Sequence, residues 1–403
     1  MPSTPSMIVT SCAVRAAQSR SDMRQFKRLP RRLAATAEQA GSIGVPSLAM
    51  LADALVNRNK HPFYDGGRGA EAEFFLAVDA SGTAVGRIGA LIDHRFNAHL
   101  QRREPGHELV GTFGFFECVN SPEVARQLIA AAGDWLRARG ARQMLGPASP
   151  SQSYDYGLLV EGFDKPHRFL QPYNPAYYPA LIEACGLTKA KDVVSLTLDL
   201  HDPAARAQIE QFIKLSAAMA NRSSLKVTMR PIDMRHYRQE TAALCRVLNE
   251  SLPEHFGHSP IAEAEWRDIT DSLRPFVKPD LVLMAEQAGK MIGAVVAIPD
   301  LNEIIRKIRL RVGLLEPLEF LVRSLGHKPT CICVAVLGIS RSENSFAVAP
   351  MLVGHLARNL LATGVQYVDA HQVLEDNRPI LEPLLRNGFK ADRRYRIYQK
   401  PLG

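Results

Sequence analysis

The 403-residue sequence predicts an α/β chain of the α+β type, made of two tandem copies of one unit, each a mixed, mainly antiparallel sheet with helices on both faces. Three observations predict it. Single cores stop growing near ~250 residues, so a chain of this length divides into about two domains. Three blocks of sequence recur in the same order in both halves, which marks an internal duplication. Each block reads as a regular supersecondary element: a hairpin, then strand–turn–helix–strand, then a short closing helix with a final strand.

The first element is helical. "SDMRQFKRLPRRL", from Ser21, reads as an amphipathic helix with Ser21 or Asp22 as N-cap and Met23, Phe26 and Leu29 facing inward. This region holds Arg15, Arg20, Arg24, Lys27, Arg28, Arg31 and Arg32 against Asp22, and carries much of the net charge of +8. It reads either as a solvated helix or as a basic surface for anionic lipid. The charge biases encounters towards anions without choosing among nucleic acid, membrane and a phosphorylated ligand.

The hairpins follow. "FLAVDASGTAVGRIGALID" (75–93) aligns without a gap on "VLMAEQAGKMIGAVVAIPD" (282–300), Gly82 on Gly289, Gly86 on Gly293 and Asp93 on Asp300. Ser81-Gly82 and Ala288-Gly289 supply the bends. Next, residues 114–145 parallel residues 337–369 as apolar strand, polar turn, amphipathic helix ending at Gly140 or Gly364, and new strand. The closing helices begin at Asn174 and Asn377, read as N-caps, and end at Gly186 and Gly388, before the strands "VVSLTL" and "YRIYQK". The expected domains are 1–200 and 226–403, joined by a connecting segment 201–225.

The halves differ at one place. Between the second and third blocks the first half holds about twenty residues more than the second, within "SPSQSYDYGLLVEGFDKPHRFLQPYN" (149–174). An inserted loop, 147–170, at one point of a repeated scaffold suits a ligand better than a core. Its excision over 149–168 is expected to leave the fold standing.

Cysteines 12, 118, 185, 245, 331 and 333 form no CxxC pair and no zinc spacing; Cys331 and Cys333 share one strand face as small core residues. Glu375-Asp376 is an ordinary acidic helix start, and histidines 61, 94, 167 and 371 are scattered, so no metal is expected. No apolar run approaches the ~20 residues of a membrane span, and the expected location is cytoplasmic.

The order of the blocks, and "LEDNRPILEPLLRNGFKADRRYRIYQK" (374–400) with its Asn-headed helix, Gly-Phe and final strand, resemble the GCN5-related N-acetyltransferase (GNAT) superfamily. "HPFYDGGRGAEAEFFLA", "GFFECVNSPEVA" and "PYNPAYYPALIEACGLTKAKD" resemble bacterial GNAT-like proteins of about this length. The resemblance covers nearly the whole chain. It implies acyl-CoA as co-substrate, held where two central strands part, its pyrophosphate at a helix start whose unpaired N–H groups favour phosphate. The implied positions are Cys118, Val119, Asn120, Ser121 and Val124 in the first half, and Glu343 to Val348 in the second. Both depart from the family's Arg/Gln-x-x-Gly-x-Gly/Ala loop: Asn344 stands at the arginine position, Ala347 and Ala349 at glycine positions, and Glu123 faces the anion in the first half. The family's frequent tyrosine acid is absent too, with Leu384 and Ile182 at its positions.

Aminolysis of a thioester needs a base for the ammonium and an acid for the thiolate. Glu117, a carboxylate inside an apolar strand, is the candidate base, with pairing to an arginine as its structural alternative. Tyr154 and Asp155 are candidate catalytic groups in the insertion, and Tyr178, or its neighbour Tyr177, is a candidate acid. Tyr156, Tyr173 and Asn174 are candidate contacts of the acceptor. The resemblance implies an N-acyltransferase acting on an amine, and bacterial ceramide synthases are GNAT-like, which extends the acceptor to a long-chain sphingoid base met at a membrane surface. DNA is not an expected partner. An aminoacyl-tRNA-dependent transferase on the Fem plan, which alone would bring RNA in as a partner, and a noncatalytic ligand-binding protein stay open as alternatives.

Overall fold

The computed structural model describes residues 12–39, 44, 54–222, 226–252, 254–308, 315–340 and 345–403. Two compact units emerge: Met1–Val193 with Ile304–Leu325 and Arg393–Gly403, and Val194–Glu303 with Gly326–Asp392.

In unit 1 the chain runs through β1 (Ala13–Ala16), α1 (Arg20–Gln39), β2 (Ala70–Val78), β3 (Ala84–Asp93), α2 (His94–Arg103), β4 (Val110–Cys118), α3 (Pro122–Arg137) and β5 (Gln143–Gly146). It continues through β6 (Ala148–Ser149), β7 (Asp155–Tyr156), β8 (Leu158–Glu161), α4 (Tyr178–Ala184) and the first residues of β9 (Thr188–Asp199). Helix α1 opens on a reciprocal cap: the Asp22 N–H donates to Ser19 Oγ (3.0 Å), and the Ser19 N–H to Asp22 Oδ2 (3.3 Å). The cap is therefore Ser19 rather than Ser21 or Asp22, because Asp22 is the third-position acid that reaches back. Phe26 and Leu29 are buried as their spacing predicts. Strand β2 alternates between two cores: Phe74, Leu76 and Val78 join Phe26 and Leu29 of α1, while Ala77 joins Val124, Leu128 and Leu136 of α3. Helices thus cover both faces.

Unit 2 repeats the plan. After the end of β9 come α5 (Pro203–Arg222), β10 (Val227–Pro231), α6 (Tyr237–Ser251), α7 (Glu263–Leu273), β11 (Val282–Gln287) and β12 (Lys290–Pro299). Helix α8 (Leu315–Ser324) belongs to unit 1, and unit 2 resumes with β13 (Cys331–Ile339), α9 (Ser345–Thr363), β14 (Tyr367–Leu374) and α10 (Arg378–Arg386) before β15 (Lys390–Pro401). Leu283 and Ala285 pack with Leu352 and Leu356 of α9, and Val282 and Met284 with Leu244 and Leu248 of α6. The duplication extends to backbone irregularities. Gly82 and Gly289 turn the hairpins at φ 78° and 75°, and both hairpins shift register beside the aligned Gly86 and Gly293, at Ala77/Val78 and Ala285/Glu286.

The units are not the two sequence halves. Strand β9 passes into unit 2 at Val194, and β15 passes into unit 1 at Arg393, where Tyr398 pairs with Gly146 and Pro401 with Gln143. Unit 1 therefore has the strand order β1-β2-β3-β4-β5-β15, closed by the end of the chain.

The insertion also departs from expectation. It is not loop alone: β6 and β7 pair with each other, β8 pairs with Arg394, Tyr395 and Arg396 of β15, and Leu158 and Leu159 are buried. Excising 149–168 would remove a strand and core side chains, so the expectation that the fold survives it is reversed.

Candidate active site

Strands β4 and β5 run parallel and pair only from Val110–Gln143 to Thr112–Leu145. Beyond Thr112 they part, and the start of the insertion enters there. Gly114 permits the approach: a Cβ on it would lie 1.8 Å from the Ala148 carbonyl oxygen. The next residue, Phe115, has φ 52° at an irregular point in the β3–β4 register, and its N–H donates to Ser149 Oγ (2.7 Å). In the β6–β7 ladder Ser149 faces Asp155 and Ala148 faces Tyr156. Asp155 is thereby delivered to the part of β4 that carries Glu117.

Glu117 sits opposite Arg87 of β3. Its Oε2 accepts the Tyr178 hydroxyl (2.8 Å), and Arg87 Nη2 lies 3.8 Å from Oε1. Arg87 is held from behind: Nη1 donates to the Phe26 carbonyl (2.9 Å), and the guanidinium lies 4.8 Å over the Phe26 ring. Burial raises the pKa of Glu117, with Arg87 and Tyr178 opposing. Asp155 is pushed up to about 6, first by burial and then by the Glu117 charge, with Arg87 opposing. Asp155 nonetheless keeps accessible surface and Glu117 is half-buried. Both carboxyls therefore keep access to solvent, Asp155 the more of the two. Glu117 is thus paired with an arginine, as its structural alternative expects, and is also desolvated.

Tyr178 has a different place from the one expected of an acid. It is 1 % exposed, its hydroxyl donates to Glu117 and accepts the Cys118 N–H (2.9 Å), and its pKa is raised well above the usual value, chiefly by burial. That is a brace for Glu117 and β4. Tyr177 donates to the Cys118 carbonyl (2.8 Å) and braces the same residue. Tyr154 packs against the His61 ring, with centroids 5.7 Å apart, and Tyr156 is buried, its hydroxyl pushed up by burial.

Asn174 is corrected as a cap. Helix α4 begins at Tyr178, so Asn174 is not its cap, and its buried amide bonds both backbone groups of Leu159, at 2.7 and 3.2 Å. It fastens β8 to the segment before α4. Tyr173 stacks on His167, centroids 5.2 Å apart, with its hydroxyl towards the Phe163 carbonyl (3.4 Å). Asn377 immediately precedes α10, but its side chain makes no capping bond.

The start of α3 is narrower as an anion site than the sequence implies. The Val119 N–H donates to Val85 O (3.0 Å), the Ser121 N–H to Val119 O (2.6 Å), and the Val124 N–H to Ser121 Oγ (3.4 Å). Val124 is fully buried, so its amide is not a phosphate donor, whereas Asn120 and Glu123 lie at the surface. The Glu123 carboxylate pairs with Arg126 and accepts from Gln127 (2.9 Å), which offsets its charge. The matching loop of the second half, including Glu343 and Asn344, lies largely outside the described residues.

Arg87 escaped sequence reading, although a signal existed. In the aligned hairpins Arg87 falls on Ala294, and the sheet registers pair Arg87 with Glu117 but Ala294 with Gly338. Both members of an ion pair present in one copy are missing from the other.

Unit 2 has its own polar group. Cys333, Asp369 and His371 each place one potential ligand atom within 4.8 Å of the others. His371 Nδ1 and Asp369 Oδ1 are 2.7 Å apart, and Asp369 Oδ2 accepts the Thr197 hydroxyl (3.2 Å). The facing atoms are engaged with each other, which makes the group an anchor between strands; His371 is not a lone histidine. Where β13 pairs Cys333 with Asp369, unit 1 pairs Thr112 with Leu145. We predict that His371→Leu, which leaves the fully buried Asp369 short of a partner, lowers stability by about 3 kcal/mol or more. Scanning calorimetry that finds an unchanged melting profile would show the pair to be dispensable.

No protein-family model matches the chain. Its sequence is 29% identical over 386 residues to a bacterial ceramide synthase of Caulobacter vibrioides, covering 95% of each chain. It is 28% identical over 334 residues to the protein YghO of Escherichia coli, covering 80% of each. Among solved structures it is similar to a tandem GNAT protein from the clavulanic acid biosynthesis pathway, with a TM-score of 0.54 and 12% identity over 98% of both chains.

Proposed function

From a tandem GNAT fold that carries a desolvated carboxyl pair where β4 and β5 part, we infer that this chain is an acyltransferase that moves an acyl group from acyl-CoA to an amine. The observation that carries the reading is the half-buried Glu117 carboxyl held by Tyr178 and Arg87, with Asp155 near enough to feel its charge. A bound amine arrives as an ammonium and must lose a proton before its nitrogen attacks the thioester carbonyl. A carboxylate whose pKa is raised by burial is a better acceptor for that proton than one in water. Glu117, held by Tyr178 and Arg87, is the base, and Asp155 shares the proton as the second member of the pair. The nitrogen sheds two protons: the first passes through the pair to solvent, and the second, lost as the C–N bond forms and the C–S bond breaks, is handed by the pair to the leaving thiolate. Tyr178 positions Glu117 and does not itself donate to the leaving group.

The acceptor in this reading is a long-chain amine of the sphingoid type. The Caulobacter relative's printed name supports it, and the alignment reaches across almost the whole of both chains. An amine of that kind resides in a bilayer, so the enzyme would work peripherally at a membrane surface. No helix among the described residues is long and apolar enough to cross one. For the coenzyme, this reading assigns phosphate to the exposed start of α3 at Asn120, where Arg126 takes up the charge of Glu123.

The test is thiol release with product mass, using palmitoyl-CoA and acetyl-CoA against sphinganine, a short-chain amine and no amine. Amide formation with sphinganine that exceeds the short amine is expected. Thiol release that no amine increases would overturn the transferase reading, and a preference for the short amine would overturn the lipid acceptor alone.

A further inference from the structure

Exposed large apolar side chains gather on one element of unit 1. Leu315, Leu318, Leu321, Val322 and Leu325, on or just after α8, are all at least half exposed, and Leu325 reaches 74%. The positions 315, 318, 322 and 325 follow the helical repeat and form one stripe. The other side of α8 is anchored: Glu316 and Phe320 are buried, and Glu316 forms an ion pair with Arg31 of α1. Helix α1 in turn presents Arg20, Arg24 and Arg28, all exposed and four residues apart, as a cationic stripe, which ends at Arg32, whose guanidinium donates to the Ala84 carbonyl of β3. Apolar and cationic stripes thus stand on two helices tied by one ion pair.

Water is a poor solvent for the first stripe, and the second stands on a helix whose first-turn acid, Asp22, is already held by Ser19 and Arg15. A second copy of the chain would cover the leucines but would bring the two arginine stripes into the same assembly. A surface with an apolar interior and anionic headgroups satisfies both at once, leucines entering the acyl boundary and guanidinium groups meeting phosphate. We propose that unit 1 docks on an anionic lipid bilayer through the apolar stripe of α8 and the arginine stripe of α1. This stands independently of the reaction assigned above.

The test uses the full chain without acyl-CoA or amine. Vesicles of phosphatidylcholine with phosphatidylglycerol, and of phosphatidylcholine alone, are sedimented with wild type, with Leu318→Glu/Val322→Glu and with Arg24→Glu/Arg28→Glu. Wild type is expected to partition onto the anionic vesicles, with each double variant reduced at least about tenfold and pure phosphatidylcholine bound no better than the variants. Circular dichroism and melting confirm folding, which these exposed positions should leave intact. Wild type that stays in the supernatant, or variants that partition equally, would overturn the proposal. So would a wild-type dimer that Leu318→Glu/Val322→Glu converts to monomer with no vesicle binding by either, which would give the stripe to a second copy.

Discussion

Glu117→Gln is expected to lower turnover by about 10²-fold or more while leaving the affinity for acyl-CoA in place, the usual scale for loss of a general base. The glutamine keeps the size of the side chain and can still accept from Tyr178, so the brace on β4 remains. The pH profile carries the sharper signature. A base works only when deprotonated, so wild-type kcat/KM should climb as pH rises through about 6, where Asp155 titrates. That limb belongs to the pair rather than to either residue. The Glu117 charge is one of the causes that raise Asp155, so making it neutral moves the residual limb to lower pH. Arg87→Met does the reverse, because Arg87 opposes the rise in both carboxyls. A purely structural Glu117 would reduce melting temperature and leave turnover per folded molecule and its pH limb unchanged, and that outcome removes it from the mechanism.

Local grammar in the sequence carried much of the fold. The hairpins were legible because Gly82 and Gly289 each sit between alternating apolar runs, and the helices because their apolar spacing and terminal glycines agree. Glu117 stood out as a carboxylate in an apolar strand, and Asp155 as part of an insertion present in one copy only. Their meeting was not legible. It depends on Gly114, Phe115 and Ser149 joining segments 34 residues apart, and no period or turn signal encodes that contact. The exchange of closing strands was hidden for a related reason: "VVSLTL" and "YRIYQK" have the alternation of a strand, and alternation does not say which sheet receives it. Asn174 misled because Asn before a helix is a common cap, whereas here a buried backbone pair on β8 competed for the same amide. The paired difference Arg87/Glu117 against Ala294/Gly338 was available to anyone who compared the copies across strands as well as along them.

The same joint sets the second large effect, that of Gly114→Ala. The added methyl would lie 1.8 Å from the Ala148 carbonyl oxygen, and because that atom is backbone, no side-chain rotation can relieve the overlap. Either β6 moves away from β4 or β4 bends, and both break the bond from the Phe115 N–H to Ser149 Oγ. Overpacking of this kind costs about 1–3 kcal/mol. The functional loss should exceed what that destabilisation explains. Ser149 faces Asp155 in the β6–β7 ladder, so a displaced β6 carries Asp155 away from Glu117, and a shift of about 1 Å in a reacting group can cost about 10²-fold. Gly133→Ala is the control, since its Cβ would meet only the end of Leu402 at 3.4 Å, and alanine is favoured over glycine within a helix. Gly114→Ala is therefore expected to melt lower and to turn over about 10²-fold more slowly per folded molecule, and Gly133→Ala to match or exceed wild type in both. Adding Gly114→Ala to Glu117→Gln should cost less than the sum of the two, because both disable the same carboxyl pair. A Gly114→Ala protein with wild-type melting and turnover would mean that β6 has no part in placing Asp155.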